Sequence, residues 1–130
     1  SSTGTFAQNY YGVNRDLRDN RTPKPPTAEE IEKERAESLN KTIEKLTKDL
    51  SLDDLQVIVI KKEIEAGSKS INAVMKSEVS EDEKIKEVEA INEKTDRTIN
   101  TFLNEEQKLK YKKFIEERKE RIEKYKLSRK

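Results

Sequence analysis

The feature that most constrains this chain is a helix-start pattern that occurs four times. A capping residue is followed three positions later by Glu or Gln, just ahead of a helical apolar pattern, in Thr27–Glu30, Asp53–Gln56, Ser80–Glu83 and Asn104–Gln107. In such a capping box the first side chain accepts a hydrogen bond from a first-turn N–H, and the Glu or Gln bonds back to the N–H of the capping residue. The capping residues are 26, 27 and 24 positions apart. The sequence therefore predicts four α-helices of similar length.

Apolar residues recur every three or four positions after each box, as on one face of a helix. We expect helices over about 28–50, from 53 to the mid-70s, over 81–102, and from 105 to the late 120s. The first and last helices are expected to direct inward Ile31, Arg35, Leu39, Ile43, Leu46 and Leu50, and Tyr111, Phe114, Ile115, Arg118, Ile122 and Tyr125.

The second helix contains two points that the sequence leaves open. Ser51 and Asp54 form a competing start to the box at Asp53. Gly67 is followed by Ser68, and Gly/Ser pairs are common sites of helix kinks. We expect a bend near Gly67, with a complete break as the alternative.

Composition limits how much core the chain can build. Charged residues make up 42% of the 130 residues and apolar residues only 31%, which is typical of helices with narrow apolar stripes. A core this thin favours further burial between subunits. The prediction is an all-α domain over 27–130, with four long, thin helices forming an antiparallel helical homodimer.

The first 26 residues differ from the rest in composition. Residues 1–7 are uncharged, and Thr5 and Ala7 fit the small-x-small rule for signal-peptidase cleavage. We interpret 1–7 as the end of a secretory signal peptide and 8–26 as a flexible arm that stops at Pro23–Pro26. The alternative for 1–7 is a disordered terminus in which this spacing arose by chance.

The residue types argue against several classes of function. The chain has no His, no Cys and only three Gly, so the commonest general base, a thiol nucleophile and a glycine-rich phosphate loop are missing. The carboxylates at Asp53–Asp54 and Glu81–Glu83 could hold a hard cation weakly, but favourable interaction with helix N-termini explains them better. We predict a non-enzymatic protein with no cofactor and no bound metal.

Charge is distributed unevenly along the chain. Residues 27–103 carry thirteen basic and nineteen acidic side chains, net −6, whereas 104–130 carry eleven basic and six acidic, net +5. Acidic residues interrupt the basic ones in the last helix, so no continuous stripe for a phosphate backbone forms, and we expect no nucleic-acid partner. No segment approaches the ~20 apolar residues that a transmembrane helix needs.

Two of the boxes follow a leucine, and this pair carries a family resemblance. The units Leu52-Asp53-Asp-Leu-Gln56 and Leu103-Asn104-Glu-Glu-Gln107 lie 51 residues apart, and each opens a helix. They resemble the LTxxQ-motif family of periplasmic stress proteins, the Spy/CpxP-like group. Asp53 and Asn104 stand where the motif has Thr and keep its capping chemistry. The resemblance covers about 28–127.

The resemblance implies a periplasmic protein with a thin, curved, cradle-shaped dimer. Members of this group include ATP-independent chaperones that hold unfolding clients on a concave face, regulators of envelope stress, and metal sensors that rely on His and Met. A client surface needs exposed apolar patches ringed by charge. The candidates are Leu55, Ile58 and Val59 on the second helix and Tyr111, Phe114 and Tyr125 on the fourth.

Other interpretations stay open from the sequence alone. The candidate surface residues could instead belong to an ordinary core or a dimer interface. The protein could be a helical scaffold or adaptor for one envelope partner, or a carboxylate-based cation sensor. By our interpretation the motif residues Leu52, Asp53, Gln56, Leu103, Asn104 and Gln107 are structural and do no chemistry.

Overall fold

The described part of the chain folds into four antiparallel helices joined by short turns. The computed structural model describes residues 24–128, and within that range it contains four α-helices and no strand. They are α1 Ala28–Leu50, α2 Asp54–Lys76, α3 Glu81–Asn100 and α4 Glu105–Ser128. The all-α prediction is confirmed. The predicted signal-peptide remnant over 1–7 and most of the arm over 8–26 lie outside the described residues.

The helix ends follow the local chemistry of the capping residues. The predicted bounds of α1 are confirmed, and Asp53, not Ser51, caps α2. Ser51 instead ends α1 in the left-handed conformation, with φ 54°, and the Leu52 N–H returns to the Thr47 carbonyl at 3.1 Å. The third helix ends at Asn100, two residues before the predicted end, because backbone bonds from Thr101 and Phe102 tighten into a turn.

Two apolar clusters form the core. The first gathers side chains from all four helices at the end where the α1–α2 and α3–α4 turns meet; it contains Ile43, Leu46, Leu50, Ile60, Ile64, Ile99, Leu103 and Tyr111. The second lies nearer the α2–α3 turn and contains Ile71, Met75, Ile85, Val88 and Ile122. Since each cluster combines the end of one helix with the start of the next, successive helices run antiparallel.

The first helix contributes to only one of these clusters. Ile43, Leu46 and Leu50 are buried, whereas Ile31 is 42% exposed. No α1 residue belongs to the second cluster. The prediction that Ile31 points inward was therefore wrong. Ile31 keeps the three- and four-residue spacing of the apolar stripe on α1. The second apolar cluster, however, is formed by α2, α3 and α4 without a contribution from α1.

The second helix is continuous through Gly67, so the alternative of a complete break there was wrong. Gly67 lies against α3, and a Cβ at this position would come within 3.0 Å of Thr95 Oγ1. The absence of a side chain therefore allows a close approach between α2 and α3, at the helix-propensity cost of roughly 1 kcal/mol.

Shortening a side chain of the first cluster tests whether the two ends of α1 differ in burial. We expect Leu46→Ala to lower the free energy of unfolding by about 2–5 kcal/mol, because Leu46 is fully buried and its removal leaves a cavity. The control Ile31→Ala should change it by less than about 0.5 kcal/mol, as at other exposed sites. Urea unfolding followed by circular dichroism measures both. Equal losses would contradict the difference in burial between the two ends of the helix.

Candidate functional site

The two Leu-cap-x-x-Gln units both form complete capping boxes. At the start of α2, Asp53 Oδ1 accepts from the Gln56 N–H at 2.8 Å, and Gln56 Oε1 accepts from the Asp53 N–H at 3.0 Å. At the start of α4, Asn104 and Gln107 repeat both bonds, at 2.8 and 3.0 Å. At Thr27 and Ser80 the structure shows the first bond of the box, from the Glu30 and Glu83 N–H groups.

The two glutamines also bind each other. Gln56 Nε2 donates to Gln107 Oε1 at 2.9 Å, and Gln107 Nε2 donates to Gln56 Oε1 at 3.1 Å. Each amide also donates to a main-chain carbonyl of the opposite turn, Gln56 to Phe102 at 2.8 Å and Gln107 to Leu50 at 3.3 Å. We call this arrangement the glutamine clasp. It ties the α1–α2 turn to the α3–α4 turn, 51 residues away.

The clasp satisfies both side-chain amides. Each Oε1 accepts from its own capping residue and from the other glutamine, while each Nε2 donates to the other glutamine and to a carbonyl. An amide can make about four such bonds. A carboxylate offers no donor and would repel a second carboxylate. Glutamine at both positions is therefore what allows the two turns to join.

The leucines of the two motifs anchor the same end of the bundle. Leu103 is buried in the first apolar cluster, and Leu52 and Val57 pack against that cluster. A residue just before the cap often packs beneath the first turn in this way and fixes the direction of chain entry. The motif thus combines an apolar anchor, a cap and a cross-link between turns.

A buried polar cluster lies beside the clasp end of the core. Tyr111 OH donates to Asp96 Oδ1 at 2.7 Å, and both terminal nitrogens of Arg118 donate to the Asp96 carboxylate. Arg118 also lies over the Phe114 ring, 5.8 Å from its centroid. The sequence pattern predicted Tyr111 and Arg118 inward but missed Asp96. A buried Arg on α4 needs a carboxylate partner, which was the available signal.

The environment of Tyr111 keeps its hydroxyl protonated. Burial raises the pKa of Tyr111 well above its ordinary value near 10, and the negative charge of Asp96 acts in the same direction. The hydroxyl therefore remains a donor to Asp96 over the whole neutral and mildly alkaline range.

The predicted client-surface residues differ in how far they are exposed to solvent. On α2, Leu55 and Ile58 are 71% and 65% exposed, and Val59 is half-buried. On α4, Tyr111 is only 1% exposed and belongs to the first cluster, so it offers no surface to a partner. Phe114 stacks on Tyr111 with ring centroids 5.5 Å apart, and Tyr125 donates to Glu81 at 3.2 Å; both are half-buried.

Neither a metal-binding cluster nor a membrane span stands out in the described part of the chain. Among residues 24–128, no group of three or more His, Cys, Asp or Glu side chains is arranged to hold a metal ion. Across the same residues, no helix combines the length and apolar character required to cross a lipid bilayer.

Comparisons with known proteins add no support to the family resemblance, which depends on the two Leu-cap-x-x-Gln units alone. No protein-family model, no curated protein and no solved structure matches this chain. The role of the glutamine clasp is therefore inferred from its own geometry.

The glutamine clasp predicts that replacing one side-chain amide by a carboxylate lowers the stability of the fold. Gln107→Glu keeps the acceptor for the Asn104 N–H but removes the donors to Gln56 and Leu50. We expect the free energy of unfolding to fall by about 1–3 kcal/mol, the usual cost of unmet buried partners. The matched control Glu83→Gln alters the same position of a box outside the clasp and should be nearly neutral. Urea unfolding at pH 7 compares them, and equal effects would contradict the cross-turn role.

The polar cluster predicts an alkaline stability change that depends on Tyr111. Because the folded pKa is raised, the contribution of Tyr111 is fully present below about pH 10 and is lost as the pH rises toward the folded pKa. We expect Tyr111→Phe to cost about 1–2 kcal/mol at pH 7 and to lose less stability than the wild type between pH 9 and 11. Urea unfolding across that range, with Tyr125→Phe as control, measures it. Identical slopes would refute this role.

Proposed function

We propose that this protein is a non-enzymatic, ATP-independent chaperone-like protein that binds unfolded or partly folded clients on the exposed apolar face at the start of α2. The observation that carries the proposal is the high exposure of Leu55 and Ile58 on a helix whose first turn is held by the glutamine clasp. Supporting it is the resemblance of the two clasp motifs to those of the LTxxQ group.

The chemistry of this face suits weak binding of apolar segments. Leu55 and Ile58 are three residues apart, so they lie on the same side of α2. Charged side chains at Asp54, Lys61 and Lys62 surround them and are exposed. Apolar side chains ringed by charge can hold an unfolding segment while the charged groups keep the complex soluble.

The surface also lies on a well-ordered part of the bundle. Gln56 stands between Leu55 and Val57, and its side chain is bonded to the Asp53 N–H, to Gln107 and to the Phe102 carbonyl. A surface that is already ordered loses little conformational freedom when a client binds. Phe102 and Leu109, near the same turns, are also exposed and would extend the contact area.

The proposed location and assembly rest on the sequence and on exposed apolar surface. The pattern over 1–7 supports export, and a periplasmic site of action accords with the resemblance. We further propose a curved homodimer, because the apolar side chains of Ile31 and Val79 are 42% and 41% exposed in one protomer. Analytical ultracentrifugation and small-angle scattering test this, and a compact monomer would contradict it.

A client-aggregation assay tests the proposed function. We expect the wild type, without nucleotide, to suppress aggregation of several denatured clients, and the double variant Leu55→Ser, Ile58→Ser to lose at least half of that suppression. The matched control is Leu127→Ser, since Leu127 is 64% exposed but lies at the far end of α4. Because all three positions are exposed, circular dichroism should show unchanged folding.

The outcomes separate the proposal from its competitors. No suppression at equimolar protein would overturn the chaperone proposal. A helical adaptor for a single envelope partner would show one saturable complex with that partner and no general suppression. Equal loss in the double variant and the control would place client binding outside the α2 face.

A further inference from the structure

A small pocket lies between the two apolar clusters and is lined by residues of all four helices. Its volume is about 50 Å³, and its lining combines apolar and aromatic side chains with the polar residues Thr42 of α1, Asn92 and Thr95 of α3, and Arg118 and Arg121 of α4. Gly67 of α2 lines it as well. The pocket has no part in the proposed client surface or the clasp.

One buried donor in this pocket lacks a protein acceptor. Asn92 is only 9% exposed, and its Nδ2 atom is fully buried with no hydrogen-bond partner among residues 24–128. A buried polar group in that condition destabilises the folded state. Such groups in folded proteins are commonly satisfied by an ordered water molecule.

The volume and lining of the pocket suit a water molecule. A water molecule needs roughly 10–15 Å³ of cavity volume, together with two to four polar partners. The pocket exceeds the volume requirement, and Thr42 and Thr95 line it together with Asn92. The lack of a side chain on Gly67 preserves this space, since a Cβ there would press on Thr95 Oγ1 at 3.0 Å.

The charges nearby favour a neutral ligand over an anion. Arg118, which lines the pocket, is bonded to the Asp96 carboxylate through both terminal nitrogens. That carboxylate also accepts from Tyr111. An anion placed beside Arg118 would therefore meet an existing negative charge. The second arginine of the lining, Arg121, is exposed to solvent, which screens its attraction for an anion.

We propose that this pocket is an internal water-binding site, in which a long-lived water molecule accepts a hydrogen bond from Asn92 Nδ2. The hydroxyl groups of Thr42 and Thr95 supply its further partners. The bundle then holds a bound water molecule between its two apolar clusters.

Nuclear magnetic resonance of the full chain tests the site without any substitution. In paired NOESY and ROESY spectra at the water frequency, we expect the Asn92 side-chain amide to show a dipolar cross-peak with the sign of a long-lived water. The side-chain amide of Asn40, which is exposed on α1, is the control and should show only the signature of rapidly exchanging solvent. Absence of the Asn92 cross-peak would overturn the proposal.

Two further measurements distinguish water from other occupants. Titration with chloride and nitrate should leave the Asn92 side-chain amide resonances unshifted, and a saturable shift would overturn the proposal in favour of an anion. Oxygen-17 relaxation dispersion should count at least one long-lived water fewer in Asn92→Leu than in the wild type. An unchanged count in a folded variant would also overturn it.

Discussion

The arrangement of this bundle depends on the glutamine clasp. Gln56 and Gln107 exchange hydrogen bonds with each other while each completes its own capping box. A side-chain amide is both donor and acceptor, so two of them can pair symmetrically, whereas two carboxylates cannot. This explains why the boxes at the joined turns end in Gln, while those at Thr27 and Ser80 end in Glu.

The two ends of the bundle are unequal. At the clasp end, four helices contribute to one apolar cluster, and a complete set of amide bonds joins the turns. At the opposite end only α2, α3 and α4 form the cluster, and Ile31 on α1 stays exposed. Local opening follows contact density, so the start of α1 is the part of the described bundle expected to open most readily.

Much of the fold could be predicted because capping chemistry acts over three residues, and it identified the starts of all four described helices to within one residue. The glutamine clasp could not be predicted, because the sequence pattern of a capping box is the same whether or not a second glutamine lies near it in the fold. The role of Tyr111 stayed open for a similar reason, since an apolar stripe alone does not distinguish a core position from a client surface. Asp96 was missed because a carboxylate in a highly charged helix gives no local sign of burial. Its burial depends on Arg118, 22 residues later.

These contacts bear directly on where a client could bind. A chain with 31% apolar residues has few large side chains to spare, and the core already uses those of α2 at Ile60, Ile64, Ile71 and Met75. Leu55 and Ile58 are left on the solvent side of the same helix, next to the clasp. Under the proposed function, an apolar face beside turns that the clasp holds limits the risk that client binding also unfolds this protein. The clasp would then serve function by holding still the helix that presents the apolar face.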